Sequence, residues 1–231
     1  MIELRDLRFT YAEGGFSLQI THLSISQGQR VCWIGPSGSG KTTLLHLVAG
    51  IFLPETGQVK TCGAELTALR AAARRDFRIS NVGLVFQDFA LLDYLSVLEN
   101  ILLPYRISRA LPIETAVRSR AEQLAVSVGL GDMLSRRPTQ LSQGERQRVA
   151  VCRAIIAKPK LLLADEPTAN LDPDNTARVL DALDQYSIEH DATLIVVSHD
   201  REVLARFGDS TDVSGFCART RNEPAGGRDN G

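Results

Sequence analysis

The stretch "RVCWIGPSGSGKTTLL", Arg30 to Leu45, decides the fold. A compact apolar run, Val31 to Ile34, leads straight into six residues of which three are glycine, and then into a segment with helical apolar spacing. A tight turn from a strand into a helix is where backbone amides can wrap phosphate oxygens, because glycines allow the wrapping and the helix dipole is positive at its start. Gly35, Pro36, Ser37, Gly38, Ser39 and Gly40 are therefore candidates for a phosphate cradle. Lys41 brings a charge that reaches the β- and γ-phosphates, and the Thr42 hydroxyl, with Thr43 beside it, is placed to ligate Mg²⁺. A Gly-rich surface turn would not need the strand before it and the helix after it.

A phosphate cradle needs chemistry opposite it. "LLLADE", Leu161 to Glu166, is an aliphatic strand that delivers two carboxylates at its carboxyl end. Ligands of a parallel sheet bind outside that end, so both acids should face the phosphates. Asp165 would hold the Mg²⁺ shell and Glu166 would polarise the attacking water. Two other strand ends add polar groups. Gln87 closes "VGLVFQ", where its amide can reach Mg²⁺ or the water, and His199 closes "TLIVVSH", where it becomes a γ-phosphate contact once Glu166 is its neighbour. Tyr11, 24 residues before the phosphate loop, can stack on an adenine, although a strand tyrosine more often serves plain packing.

The rest of the chain sets the architecture. Residues 2–35 alternate like strands, "LLLAD" and "TLIVV" read as parallel strands covered on both faces, and residues 88–139 turn helical. Ile113, Val117, Ala121, Leu124 and Val128 recur at helical intervals and predict one apolar stripe in that insertion. The tail after residue 218 has almost no apolar side chains, which predicts disorder for 219–231. A net charge of −1 argues against a nucleic-acid-coating protein. Cys32, Cys62, Cys152 and Cys217 form no C-x-x-C pair and read as reduced core thiols. The first residues alternate like a strand rather than a signal peptide, and the longest apolar run, "LLHLVAGIFL", is half of what a span needs. Any membrane role is thus expected to come through a partner.

One further segment opens a helix with a small hydroxyl and a glycine: "LSQGERQRVA", Leu141 to Ala150. It would seat a second anion. Together with the phosphate loop, Gln87, "LLLADE", "ANLD" (Ala169 to Asp172) and "VSHD", it resembles the nucleotide-binding subunit of an ABC transporter, in order and spacing, across roughly residues 1–210. The resemblance implies an α/β phosphate-loop NTPase core with an N-terminal antiparallel β subdomain and an inserted helical subdomain, one domain over residues 1–218. It also implies ATP and Mg²⁺ as cofactors and a head-to-tail homodimer in the ATP-bound state. In that dimer Ser142, Gly144 and Glu145 of one subunit, with Asp172, would complete the ATP site of the other.

"GLVFQDFALLDYLSVLENILLP" is similar to a narrower group that serves lipoprotein release, macrolide export and division-linked control of cell-wall hydrolases. That implies a peripheral ATPase at the cytoplasmic face of the inner membrane. It would contact an integral membrane permease through the insertion, with Phe89 to Leu95 either the contact surface or local core of the insertion, and act on no nucleic acid. It would power export or extraction of a lipid-like, lipoprotein or drug substrate; the alternative is ATP-dependent regulation of cell-wall hydrolysis with nothing transported. The signature departs from the usual L-S-G-G-Q at Gln143 and Glu145. The added negative charge of Glu145 is expected either to weaken ATP affinity or to be offset by Arg146.

Overall fold

The computed structural model describes residues 1–12, 16–108, 110–207 and 209–218; the polar tail lies outside them. Two sheets organise the chain. The first is antiparallel and is built from β1 (Ile2–Thr10), β2 (Ser17–Ile25), β4 (Thr56–Thr61), β5 (Ala64–Glu65) and β10 (Cys217–Ala218), in the order β10-β2-β1-β4-β5. In β1 the buried positions are Ile2 and Leu4, then Leu7 and Phe9. This change of parity follows from an irregularity between Arg5 and Arg8 against β4, where Asp6 adopts a φ of 45°. One extra residue at a bulge turns the strand over, so apolar residues on both sides of it reach the same core.

The second sheet is parallel. It contains β3 (Arg30–Ile34), β6 (Val82–Val85), β7 (Leu161–Asp165), β8 (Thr193–Val197) and β9 (Asp209–Asp212), in the order β6-β7-β8-β3-β9. The third strand of the β-rich beginning therefore leaves its sequence neighbours and pairs with β8 and β9. Every residue of β7 and β8 is buried. Alternate residues serve different cores: Leu161, Leu163, Ile195 and Val197 face the antiparallel sheet and α1 (Lys41–Val48), whereas Leu162, Ala164, Leu194 and Val196 pack toward α6 (Gln143–Ile155) and α7 (Pro173–Glu189). The last helix, α8 (Arg201–Arg206), adds Val203 to the second of these cores.

Before β6 runs α2 (Ala71–Asn81), which turns inward with Phe77, packed on the first core, and with Arg74 and Arg78, which donate to the Gly50 carbonyl. After β6 comes the insertion. Residues 88–95 form turns, and helix begins only at α3 (Val97–Ile101), followed by α4 (Leu103–Ile107) and α5 (Thr115–Ser127). Ser96 and Glu99 close a capping box at the start of α3. The fully buried Asn100 donates to the carbonyls of Leu92, Leu95 and Ser96, which pins the preceding turn.

The expected stripe holds at Val117 and Ala121, which are buried, and at Leu124 and Val128, which pack against the same core, but not at Ile113, which precedes the helix and is 55% exposed; Ala125 is a further buried position. The insertion packs on α6 through Val149, Cys152 and Ile156. Cys32 and Cys152 are buried, and burial pushes the three thiols at 32, 62 and 152 up, to about 11, 11 and 12, so they stay protonated.

Gly83 fixes the contact between β6 and α6. A Cβ there would lie 2.4 Å from the Ala154 carbonyl oxygen and 2.6 Å from Leu162 Cδ2. Gly83→Ala is expected to cost about 1–3 kcal/mol, the range for overpacking a close-packed interior. The check is a fall in the urea midpoint with an unchanged slope.

Candidate nucleotide site

The carboxyl ends of β3, β7 and β8 lie side by side, so the groups that follow them converge. They border a cavity of about 720 Å³ lined by Tyr11, Phe16, Gly35 to Thr43, Gln87, Asp165, Glu166, Ala169 and His199. All the residues assigned from sequence to the phosphate loop, the metal and the catalytic water are in this set. A second cavity of about 680 Å³, between α5 and α7, brings together none of them.

Gly35, Gly38 and Gly40 adopt φ of 150°, 76° and 85°, so a side chain at any of the three would be strained. The loop closes on itself: Ser39 N–H donates to the Pro36 carbonyl, and Lys41 Nζ donates to the carbonyls of Gly35 (2.7 Å) and Pro36 (3.1 Å). The lysine thus spans the mouth of the cradle. Leu44 N–H donates to the Gly40 carbonyl, which starts α1 directly after the loop.

Thr42 Oγ1 donates to Asp165 Oδ2 at 2.7 Å, joining the phosphate loop to β7. Asp165 is only 6% exposed. Burial raises its pKa, against a lowering by the Thr42 hydrogen bond, and the neighbouring Glu166 raises it further. A buried carboxylate that remains uncomfortable as an anion, beside a hydroxyl and the Gln87 amide, is an all-oxygen set suited to a hard divalent cation such as Mg²⁺.

Glu166 is held in the left-handed region at φ 46°, with its N–H donating to the Val197 carbonyl at 2.9 Å. Its carboxylate accepts from His199 Nδ1 at 2.9 Å. A carboxylate only accepts, so the Nδ1 proton is fixed on the histidine and Nε2 is left for another partner.

Tyr11 packs against aromatic neighbours and also borders the cavity. Its ring meets Phe9 and Phe52 edge-on, and its hydroxyl hydrogen-bonds to Thr43 Oγ1 at 2.8 Å, yet it lines the cavity and is 39% exposed. Thr43 is itself buried and engaged with that phenol.

The signature residues stand apart. Ser142, Gly144, Glu145 and Asp172 do not line the phosphate cavity of their own chain. Ser142 caps α6 by accepting from Glu145 N–H, and the Glu145 carboxylate accepts from Ser142 N–H at 2.7 Å. That amide holds the Glu145 carboxyl below its usual range. Arg146 does not provide the offset: its guanidinium donates to the carbonyls of Pro138 and Leu141, and the Glu145 carboxylate is stabilised by the Ser142 amide at its own helix start, with Arg148 and Arg136 adding to this.

Sequence reasoning missed two side chains. Arg153, 8% exposed, donates from Nη1 to the Ala90 carbonyl and from Nη2 to the Phe89 carbonyl (2.6 Å), so α6 grips the turn that follows Gln87. Phe89 and Ala90 are both left-handed, at φ 62° and 47°. Asn175 joins Asp172 to α6, by contacts taken up below.

Such a site on such a sheet defines a phosphate-loop nucleotide hydrolase with an inserted helical subdomain. The chain belongs to the ABC transporter family, whose model matches residues 18–169. It is 38% identical over 210 residues to a lipoprotein-releasing system ATP-binding protein LolD of Rhodopseudomonas palustris, covering 90% of each chain. It is 41% identical over 206 residues to a macrolide export ATP-binding/permease protein MacB of Rhodopirellula baltica, and spans 30% of that longer protein. Its structure resembles the ATP-binding cassette MJ0796, solved as a dimer in a post-hydrolysis state with ADP and Pi, with a TM-score of 0.84, 31% identity and coverage of 96% and 100% of the two chains. The protein is an ABC ATPase and an ATP-binding subunit of a transporter.

The raised pKa of Asp165 has a definite sign. The folded state binds this proton more tightly than the unfolded chain, whose value is near 3.8, so the contribution to stability is full below that value and is lost as pH rises through the folded value. Asp165→Asn should therefore raise the melting midpoint of the nucleotide-free protein at neutral pH. It should also remove the part of ATP stabilisation that depends on Mg²⁺ and cut hydrolysis by about a hundredfold or more. Melting curves with ATP, with and without Mg²⁺, check it.

Proposed function

We propose that this ATPase hydrolyses ATP in a site shared by two copies of the chain, and so drives a membrane permease that exports or extracts a lipid-like, lipoprotein or drug substrate. The observation that carries the shared site is the separation between the phosphate cavity and the signature turn. The cradle residues line one cavity and Ser142 and Gly144 are absent from it, so a second chain is needed to lay a signature on the γ-phosphate.

In this reading Lys41 leaves its own loop carbonyls for the phosphates, and the Tyr11 ring takes the adenine. Thr42, Asp165 and Gln87 would hold Mg²⁺, which when bound neutralises charge on the β- and γ-phosphates. Glu166, fixed by His199, accepts a proton from water as the water oxygen bonds to the γ-phosphorus and the bond to the ADP oxygen breaks.

Among the described residues, no helix is long and apolar enough to cross a membrane. For the permease, support comes from an apolar groove of about 260 Å³ between α2, β6, α4 and α6, walled by Leu84, Phe86, Leu103, Pro104 and Ile107. Arg153 and Ala90 border it too, so an element of the permease seated there would touch the turn after Gln87 at the cytoplasmic face. Phe89 is half-buried, with its carbonyl held by Arg153, so the groove rather than Phe89 is the better contact to test.

Mixing two inactive variants tests the shared site. Lys41→Ala and Ser142→Arg should each lose hydrolysis, and their mixture should recover some, since a mixed dimer holds one site with neither lesion. A site confined to one chain predicts no recovery at any ratio.

Ile107 is 59% exposed, so Ile107→Asp is expected to leave the isolated subunit folded and hydrolysing ATP. Its association with the permease in co-purification should fall at least tenfold, because an acid in an apolar contact costs several kcal/mol. Undiminished association would exclude the groove.

A further inference from the structure

Two helix starts that a shared site needs, Ser142 on α6 and Asp172 on α7, are braced by one side chain that lies outside the nucleotide cavity. Asp172 caps α7 by accepting the Asn175 N–H on Oδ1 at 2.9 Å. Its second oxygen accepts from the Asn175 side-chain Nδ2 at 2.5 Å. On the other side, Asn175 Oδ1 accepts from Nη1 of Arg148 on α6. A carboxylate only accepts and a guanidinium only donates, so the side chain between them must donate at one end and accept at the other. Asparagine meets that demand in one orientation; aspartate and alanine do not.

Gly144 closes the grip. It lies one turn before Arg148 on the same face of α6. A Cβ on it would stand 2.5, 2.6 and 2.7 Å from Cγ, Oδ1 and Nδ2 of Asn175. The missing side chain of the signature glycine is thus the space into which the Asn175 amide fits. Arg148 is buried at 6% exposed, so it has little freedom to follow if the amide is removed.

Resting on the shared-site reading, we propose that Asn175 is a positioning residue that locks the signature turn to Asp172, so that both present themselves to the partner's nucleotide as one rigid unit. The cap on α7 is separate from this role, because it uses the Asn175 backbone N–H, which Asn175→Ala retains.

Three measurements on Asn175→Ala decide it. Amide exchange should quicken at least tenfold at Glu145 and Arg146, whose N–H groups bond to Ser142, while Leu44 in α1 stays unchanged. Unchanged exchange at Glu145 and Arg146 overturns the brace.

The second is a reversal of sign. Gly144→Ala should lower the melting midpoint of the parent, where the new methyl meets the amide. In Asn175→Ala it should leave the midpoint unchanged or raise it, since alanine outranks glycine in a helix. The same fall in both backgrounds overturns the proposal.

The third measures ATP-driven dimer formation by light scattering in a Glu166→Gln background. The added Asn175→Ala should raise the protein concentration needed at least tenfold, with ATP affinity of the single chain unchanged within twofold. Equal dimerisation overturns the proposal and leaves the shared site standing. A Glu166→Gln chain that stays monomeric with ATP removes the shared-site reading, and the claim about pairing with it.

Discussion

A parallel sheet cannot leave either face in water, and this molecule is arranged around covering both. β7 and β8 are aliphatic throughout because each residue has a core to enter, whichever way it points. One face receives the antiparallel sheet and α1; the other receives α6 and α7. With both faces closed, only the strand ends remain for chemistry. The polar groups of the site therefore sit at the carboxyl edge, where Asp165, Glu166, His199 and the phosphate loop leave their strands together.

That edge is assembled at a cost the cores must offset. Asp165 is buried beside Glu166, a second carboxylate, with one threonine hydroxyl to ease it. Glu166 sits at a backbone angle that non-glycine residues avoid. These features raise the energy of the site, and a bound cation and phosphate would relieve them. The surrounding packing holds them in place: Val197 in β8 binds the Glu166 amide, and His199, two residues on, fixes its carboxylate.

Much of this was legible in the sequence because it is local. The phosphate loop is a run of consecutive residues between a strand and a helix, and "LLLADE" carries its strand and its acids in one stretch. What escaped depends on distant partners or on the lack of any. Arg153 finds the Phe89 carbonyl 64 residues away, and Arg148 finds Asn175 at a distance of 27, so no spacing rule announces them. α2 turns inward with Phe77 and two arginines, so its inner face carries little of the apolar period that a sequence displays. Ile113 fitted a helical period in sequence, but the backbone does not become helical until Thr115. β3 looked like its antiparallel neighbours because parallel and antiparallel strands share one pattern when short and apolar.

Helix α6 touches both ends of the story. Near its carboxyl end Ala154 rests on Gly83 and Arg153 holds the turn after Gln87; at its amino end stands Ser142. With a rise of 1.5 Å per residue, the two ends are about 18 Å apart. At the Gly83 contact α6 lies against β6 with no room for a side chain between them. A tilt of only about three degrees there would carry the signature tip by about 1 Å, enough to make or break a hydrogen bond. If the proposed permease contact lies in the apolar groove and Ser142 meets the partner's phosphate, a small push at one end of α6 would be read at the other as the presence or absence of that contact, without any helix having to unfold.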